Sequence, residues 1–330
     1  MQLSSKLFLC LLILIFVFFN CQAQKEQPVN SQNTLINALP EGNNGIAAKH
    51  PGDLGIGTDP RVIFADDFES YTQPKELENH WDFISHAGDT HITADPGLAF
   101  HGKQALEFVI PQQTTEQSDG VDKFISPERD VVFLRYYAKF HAPYDVIGSS
   151  HNGAGISAHY FDNGRATPGI PANGTNKFLV NLENWRGDSL TPSPGYLNLY
   201  VYHPEQRSNY GDHFFTDGFV MPYSSNLYDF GKDFTKRPLI LTPMDQWFCY
   251  ELMVKANTPG KRDGRVAIWV DGKLVGDFQN LRFRDIESLK MNRAGVCFHI
   301  KTNPKGEAKK WFDNVVIADS YIGPMVPEKE

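Results

Sequence analysis

Cysteine is scarce in this chain of 330 residues, with four in all. Cys10 and Cys21 fall in the apolar N-terminal segment, which leaves Cys249 and Cys297 for the body of the protein. Two thiols on separate apolar strands make neither a disulfide framework nor a thiolate metal site. Basic excess is also missing: 31 Lys and Arg stand against 39 Asp and Glu, a formal net charge of −8. That balance withholds the basic patch a nucleic-acid partner needs, although a locally basic groove on an acidic protein can still take an anionic ligand. The one long apolar run, Leu7 to Phe19, is shorter than the about 20 residues of a transmembrane segment. No repeat of fixed period is present, which excludes propellers and solenoids. His151 and His159 lack zinc-ligand spacing, so no catalytic metal is expected and no cofactor is required. No strand carries the alternating acids that would set two carboxylates about 5–5.5 Å apart, as retaining glycosidases need.

What is present begins with an export signal. Lys6, the apolar run and Cys21-Gln22-Ala23 follow the pattern of a signal peptide cleaved after Ala23. A lipid anchor at Cys21 is the alternative. Either way the protein is expected to be secreted, periplasmic or on the outer surface. Residues 24–59, rich in Gln, Asn, Gly and Pro, read as a flexible linker, with 51–57 packing loosely on the domain edge. One domain over 60–324, a short tail at 325–330 and a monomeric state complete the expected organisation.

From Arg61 onward the dominant period is two. Strands are expected at Val62–Phe68, Ala105–Ile110, Val131–Phe140, Lys177–Glu183, Tyr196–His203, Gln246–Lys255, Arg265–Val270, Lys273–Phe278, Gly295–Lys301 and Trp311–Ala318. Asp271-Gly272 between two strands marks a tight hairpin. Asp285–Met291 alone suggests a short helix. Many strands and almost no helix imply an all-β, two-sheet antiparallel sandwich or barrel. The long loops 142–175 and 204–243 exceed ordinary hairpin connections and are expected to be functional.

The most informative strand places Leu197, Leu199 and Val201 on one face and Asn198, Tyr200 and Tyr202 on the other. Lys177–Glu183 repeats the pattern, with Asn181 and Glu183 on the polar side. Val131–Phe140 does so with Arg135 and Lys139. Should these strands share a sheet, its outer face is an array of phenols, amides and charges suited to a hydroxylated, carboxylated chain. The polar turn Ser149–Gly155, with His151 and Asn152, and the loop from His203 through Arg207 add further candidates. Histidine is the side chain best placed for proton transfer near neutrality.

Several segments resemble the polysaccharide lyase family 14 type of concanavalin A-like jelly roll. They are Trp247–Lys255, Asn257-Thr258-Pro259-Gly260, Asp263-Gly264, Trp269-Val270-Asp271-Gly272 and Phe312-Asp313-Asn314-Val315-Val316, and the likeness spans about 60–324. The resemblance implies β-elimination on a uronate polysaccharide such as alginate or glucuronan, without a catalytic metal. It gives Tyr200 and Tyr202 the family's paired-tyrosine role as base or acid. Asn181 stands where the family has an arginine, and His151-Asn152 where it has a lysine-bearing turn. Tyr200, Tyr202, His151 and Asn152 are therefore the expected catalytic residues. Asn181, Glu183, Arg135, Lys139, Asn198, His203 and Arg207 are expected to bind the polysaccharide. A non-catalytic carbohydrate-binding module on the same fold is the alternative. A structural calcium between Asp66-Asp67-Phe68-Glu69 and Asp313 would clamp the two chain ends.

Overall fold

The structure, a computed structural model, describes residues 38–148, 150–221 and 234–328. The segment expected to be a signal peptide, with Cys21, lies outside the described residues. Two antiparallel sheets form the sandwich. In order across the first sheet run Lys273–Leu281, Gly264–Val270, Phe248–Lys255, Val131–Phe140, Ala308–Ala318, Ala105–Ile110 and Thr90–Thr93, with Val62–Asp66 also pairing Ala308–Ala318. The second runs Val220–Met221, Asp212–Phe215, Tyr196–Tyr202, Phe178–Trp185, Ala154–Ala158, Met291–Ile300, Gln117–Arg129 and Phe83–Ser85, and Ser150–His151 pairs Met291–Ile300.

Alternation decides which side chains meet between the layers. Leu134, Tyr136, Leu252, Ile268 and Phe312 of the first sheet are buried in one core with Ile156, Val180, Leu182, Leu199 and Phe298 of the second. The hairpin at Asp271-Gly272 has positive φ at both residues, 49° and 74°, as a two-residue turn of this hand requires. Cys249 and Cys297 are free thiols, one in each sheet.

Three expectations need correction. The first concerns the linker, whose residues from Pro40 onward belong to the domain. The Trp269 indole donates to the Pro40 carbonyl at 2.8 Å, Gly42 N–H to Gly272 at 2.7 Å, and Ala47 N–H to Ile322 at 2.9 Å. Ile46 and Ala47 are fully buried. A Cβ on Gly45 would lie 2.3 Å from the Ile322 oxygen, so only glycine lets the two backbones meet. Glycine and proline here permit close packing of the strap; they do not loosen it. Second, 285–290 is a bend and turn leading into the strand at Met291, because its apolar residues are too few to form a buried helical stripe. Third, Val131–Phe140 lies in the first sheet and the tyrosine strand in the second.

The straps 40–58 and 319–326 both pack on the outer face of the first sheet. Glu251, pointing out of that sheet, accepts the N–H groups of Ile322 and Gly323 at 2.7 and 2.9 Å. The outer face of the second sheet is thereby left as the place for a cleft.

Candidate active site

Register sets the floor of this cleft. One row across the second sheet reads His213, Tyr200, Asn181, Gly155, Gly295, Asp122 and Phe83, each the direct partner of the next. Large side chains at both ends and two glycines in the middle hollow the sheet into a trough. A Cβ on Gly155 would stand 2.4 Å from Asn181 Oδ1, so the amide occupies space that only glycine leaves. Tyr160, Phe161 and Tyr210 wall one side, and Ser85, His86 and Glu116 line the other end. The cavity measures about 430 Å³.

At the centre stands His151, held by the pairing of Ser150–His151 with Met291–Ile300. Its ring centroid is 4.5 Å from Tyr200 and 5.0 Å from His299. Its Nδ1–H donates to Glu183 Oε2 at 2.7 Å, which leaves Nε2 as the other working nitrogen. Burial presses the imidazole toward its neutral form, but the Glu183 carboxylate outweighs burial and the net shift is upward. Glu183 itself is fully buried, and desolvation raises its carboxyl despite the histidine. His213 stands 3.4 Å from the other Glu183 oxygen and donates from Nδ1 to Asn198 Oδ1 at 2.9 Å. Burial, with the His151 charge behind it, pushes both His213 and His299 down to about 3. His151 is thus the histidine of this cluster whose proton affinity is raised, where its neighbours' are lowered.

Tyr200 is nearly buried, and its hydroxyl accepts the Gly211 N–H at 3.1 Å. Burial and the neighbouring Tyr202 hydroxyl push the phenol well above its usual range. It is a proton donor at every working pH. Arg293 supplies positive charge to the cleft wall. Its guanidinium donates to Asp122 at 2.5 Å and lies 3.5 Å from the Phe161 ring centroid and 4.6 Å from that of Phe83. Its Nε has no acceptor among the described residues.

The structure therefore joins His151, Tyr200, Asn181 and Glu183, and moves other expected residues away. Tyr202 shares the polar face but is fully buried under the 160–177 loop, where Gly169 N–H donates to its hydroxyl at 3.2 Å. Asn152 alternates inward, as the neighbour of an outward His151 must. Its amide donates to Ser150 Oγ and Asn184 O at 2.9 and 2.8 Å and accepts the Asn184 N–H at 2.8 Å, so it ties the backbone instead of facing the cleft. Arg135 and Lys139 are on the far side of the sandwich. Arg135 is buried beneath the N-terminal strap in an ion pair with Asp53, and Lys139 packs over Trp247 and Trp311 at 5.1 and 4.9 Å. Asn198 is fully buried and orients His213. His203 is buried 3.1 Å from Asp212, and the Arg207 backbone sits beside that same carboxylate; neither lines the cavity. The acids expected to hold calcium receive protein donors. Asp66 accepts the Tyr71 hydroxyl and the Trp81 indole, and Asp313 accepts the Phe100 and His101 N–H groups at 2.8 and 3.2 Å.

Arg293, Cys297 and His299 were missed. They alternate with apolar Ala294, Val296 and Phe298; Cys297 and His299 fall within the expected strand Gly295–Lys301, and Arg293 joins them once the strand starts at Met291.

No protein-family model matches the sequence, and no curated protein matches it. Solved structures do. The PL-14 alginate lyase from Aplysia kurodai superposes with a TM-score of 0.56 at 15% identity, covering 78% of this chain and 99% of its own. This is the jelly roll of alginate lyases. Alginate lyase Aly36B, in a variant complexed with alginate trisaccharide, gives 0.55 at 14% identity over 79% of this chain and 99% of its own. Alginate lyase vAL-1 from Chlorella virus gives 0.53 at 15% over 78% and 99%. Identity this low carries the lyase fold to the present chain, and the chemistry must be argued from its own side chains.

Proposed function

We propose that the protein is a secreted polysaccharide lyase that cleaves a 4-linked uronate polymer, such as alginate or glucuronan, by β-elimination. The observation that carries the reading is the pairing of His151, backed by buried Glu183, with Tyr200 over a glycine floor. Glu183 raises the proton affinity of His151, which suits it to take a proton, and burial keeps the Tyr200 phenol protonated until it can donate. The signal-like N-terminus and the alginate substrates of proteins with this fold support the export and substrate classes.

In this reading the uronate carboxylate lies against Asn181 and the Arg293 guanidinium, which both line the trough. Neutralising that carboxylate acidifies the adjacent C5–H. His151 Nε2 takes the C5 proton, the C–H electrons form the C4=C5 bond, and the C4–O bond breaks. Tyr200 delivers its proton to the departing oxygen. The imidazolium and phenolate that result are neighbours and reset by proton transfer, so the net change is one proton moved from carbon to oxygen.

Both groups rise from the same sheet face, which makes the elimination syn. Mannuronate and glucuronate present the C5–H and the C4–O on one face; guluronate does not. Purified protein incubated with polymannuronate, polyguluronate and glucuronan should raise the ultraviolet absorbance of unsaturated ends on the first and third. No absorbance with any uronate polymer defeats the reading.

A further inference from the structure

At the other end of the cleft, with three strands between it and the tyrosine strand, a histidine and two carboxylates converge. His86 follows the strand Phe83–Ser85 at a positive φ of 49°, which turns it toward Asp89 in the next turn. Asp119 comes from the neighbouring strand Gln117–Arg129. One donor atom from each lies within 4.8 Å of the others. Two carboxylates this close repel, yet neither forms an ion pair with a basic side chain among the described residues. Gln117 Nε2 donates to Asp89 at 3.0 Å and to Asp119 Oδ1 at 2.9 Å, and a neutral amide cancels no charge. The independent sign is Asp119 itself. Its side chain is fully buried, and its Oδ2 has no hydrogen-bond partner. A buried carboxylate oxygen left bare is expensive unless a proton or a cation takes it, and burial pushes Asp119 up to about 7 in the absence of a cation.

We propose that His86, Asp89 and Asp119 bind one divalent first-row cation, of the Zn²⁺ or Mn²⁺ class. An imidazole with two carboxylates suits these ions better than Ca²⁺ or Mg²⁺, which prefer all-oxygen shells. The donors must close from 4.8 Å to the spacing allowed by bonds of about 2.1 Å, and exposed His86 supplies that movement. The site stands whether or not the protein is a lyase.

The test uses the full chain, stripped with chelator and exchanged into a non-coordinating buffer at pH 7.5. Thermal unfolding and titration calorimetry are run with Zn²⁺, Mn²⁺, Ca²⁺ and Mg²⁺. Zn²⁺ or Mn²⁺ should bind one ion per chain and raise Tm by about 5 °C at a hundredfold excess over Kd. His86→Ala should keep the metal-free Tm, since His86 is exposed, and lose the shift. Asp89→Asn should lose most of it and serves as the second reading. No shift with any ion, an equal shift with Ca²⁺, or an undiminished shift in both variants overturns the proposal.

Discussion

Replacing Glu183 with Gln isolates the contact on which the His151 assignment depends. The variant keeps the shape and a hydrogen-bond acceptor for the His151 Nδ1–H but removes the charge 2.7 Å away. Burial lowers the affinity of His151 for a proton and Glu183 more than restores it, so without the carboxylate the remaining influence is downward. In the wild type, His151 gains base character as pH rises through a value above the ordinary 6.5. In the variant that acid limb moves to below 6.5. Tyr200, His299, His213 and Glu116 also face or act on His151, and none of them changes in the variant. Losing a charge-assisted hydrogen bond is worth about 1.5–3 kcal/mol. If that stabilisation develops with the imidazolium in the transition state, kcat falls roughly 10- to 100-fold while KM changes little. Burying an amide where a carboxylate stood removes a desolvation cost, so Tm should hold or rise. The assay is the pH profile of kcat/KM on the uronate polymer that the wild type cleaves. A limb that stays in place, with kcat within twofold of wild type, refutes the role given to the pair.

Tyr200→Phe should lower kcat by about 10²–10⁴-fold and leave oligosaccharide affinity within a few-fold, measured by calorimetry. Tyr202→Phe should lose the acceptor for Gly169 N–H and the hydroxyl beside Tyr200, cost about 1 kcal/mol of stability, and keep turnover; a dead Tyr202 variant of normal Tm would reverse the two roles. Asn152→Ala should unfold several degrees earlier, with about 3 kcal/mol lost from its buried bonds, and retain the specific activity of whatever remains folded. Asp53→Ala strands the Arg135 charge under the strap and should cost about 3–5 kcal/mol in denaturant titration; an unchanged midpoint would mean that the strap adds nothing.

The faces of the strands were legible because alternation reports which side chains share a side. Leu197, Leu199 and Val201 are buried in the core and Asn198, Tyr200 and Tyr202 point away from it. Alternation says nothing about which sheet a strand joins. Arg135 and Lys139 therefore carried the right polarity and the wrong location: Val131–Phe140 pairs Phe248–Lys255 and Ala308–Ala318, behind the core. The same parity rule explains His151 and Asn152, since adjacent residues on an extended segment cannot both face the cleft. Residues 40–58 looked like a tether because their hold on the domain is made largely by backbone groups, which leave little trace in composition. Gln117–Arg129 was missed for a related reason. Asp122 points out into the cleft, while Asp119 stands on the core-facing side opposite Phe298, and both interrupt the apolar pattern of a strand.

One measurement bears most directly on the whole account: ultraviolet absorbance at pH 7 to 8 of purified protein with polymannuronate, run beside its Tyr200→Phe and His151→Ala variants. A rise from the wild type and a flat trace from both variants is the expected result. Bound polymer with no unsaturated ends from the wild type would contradict it and make this trough a carbohydrate-binding surface.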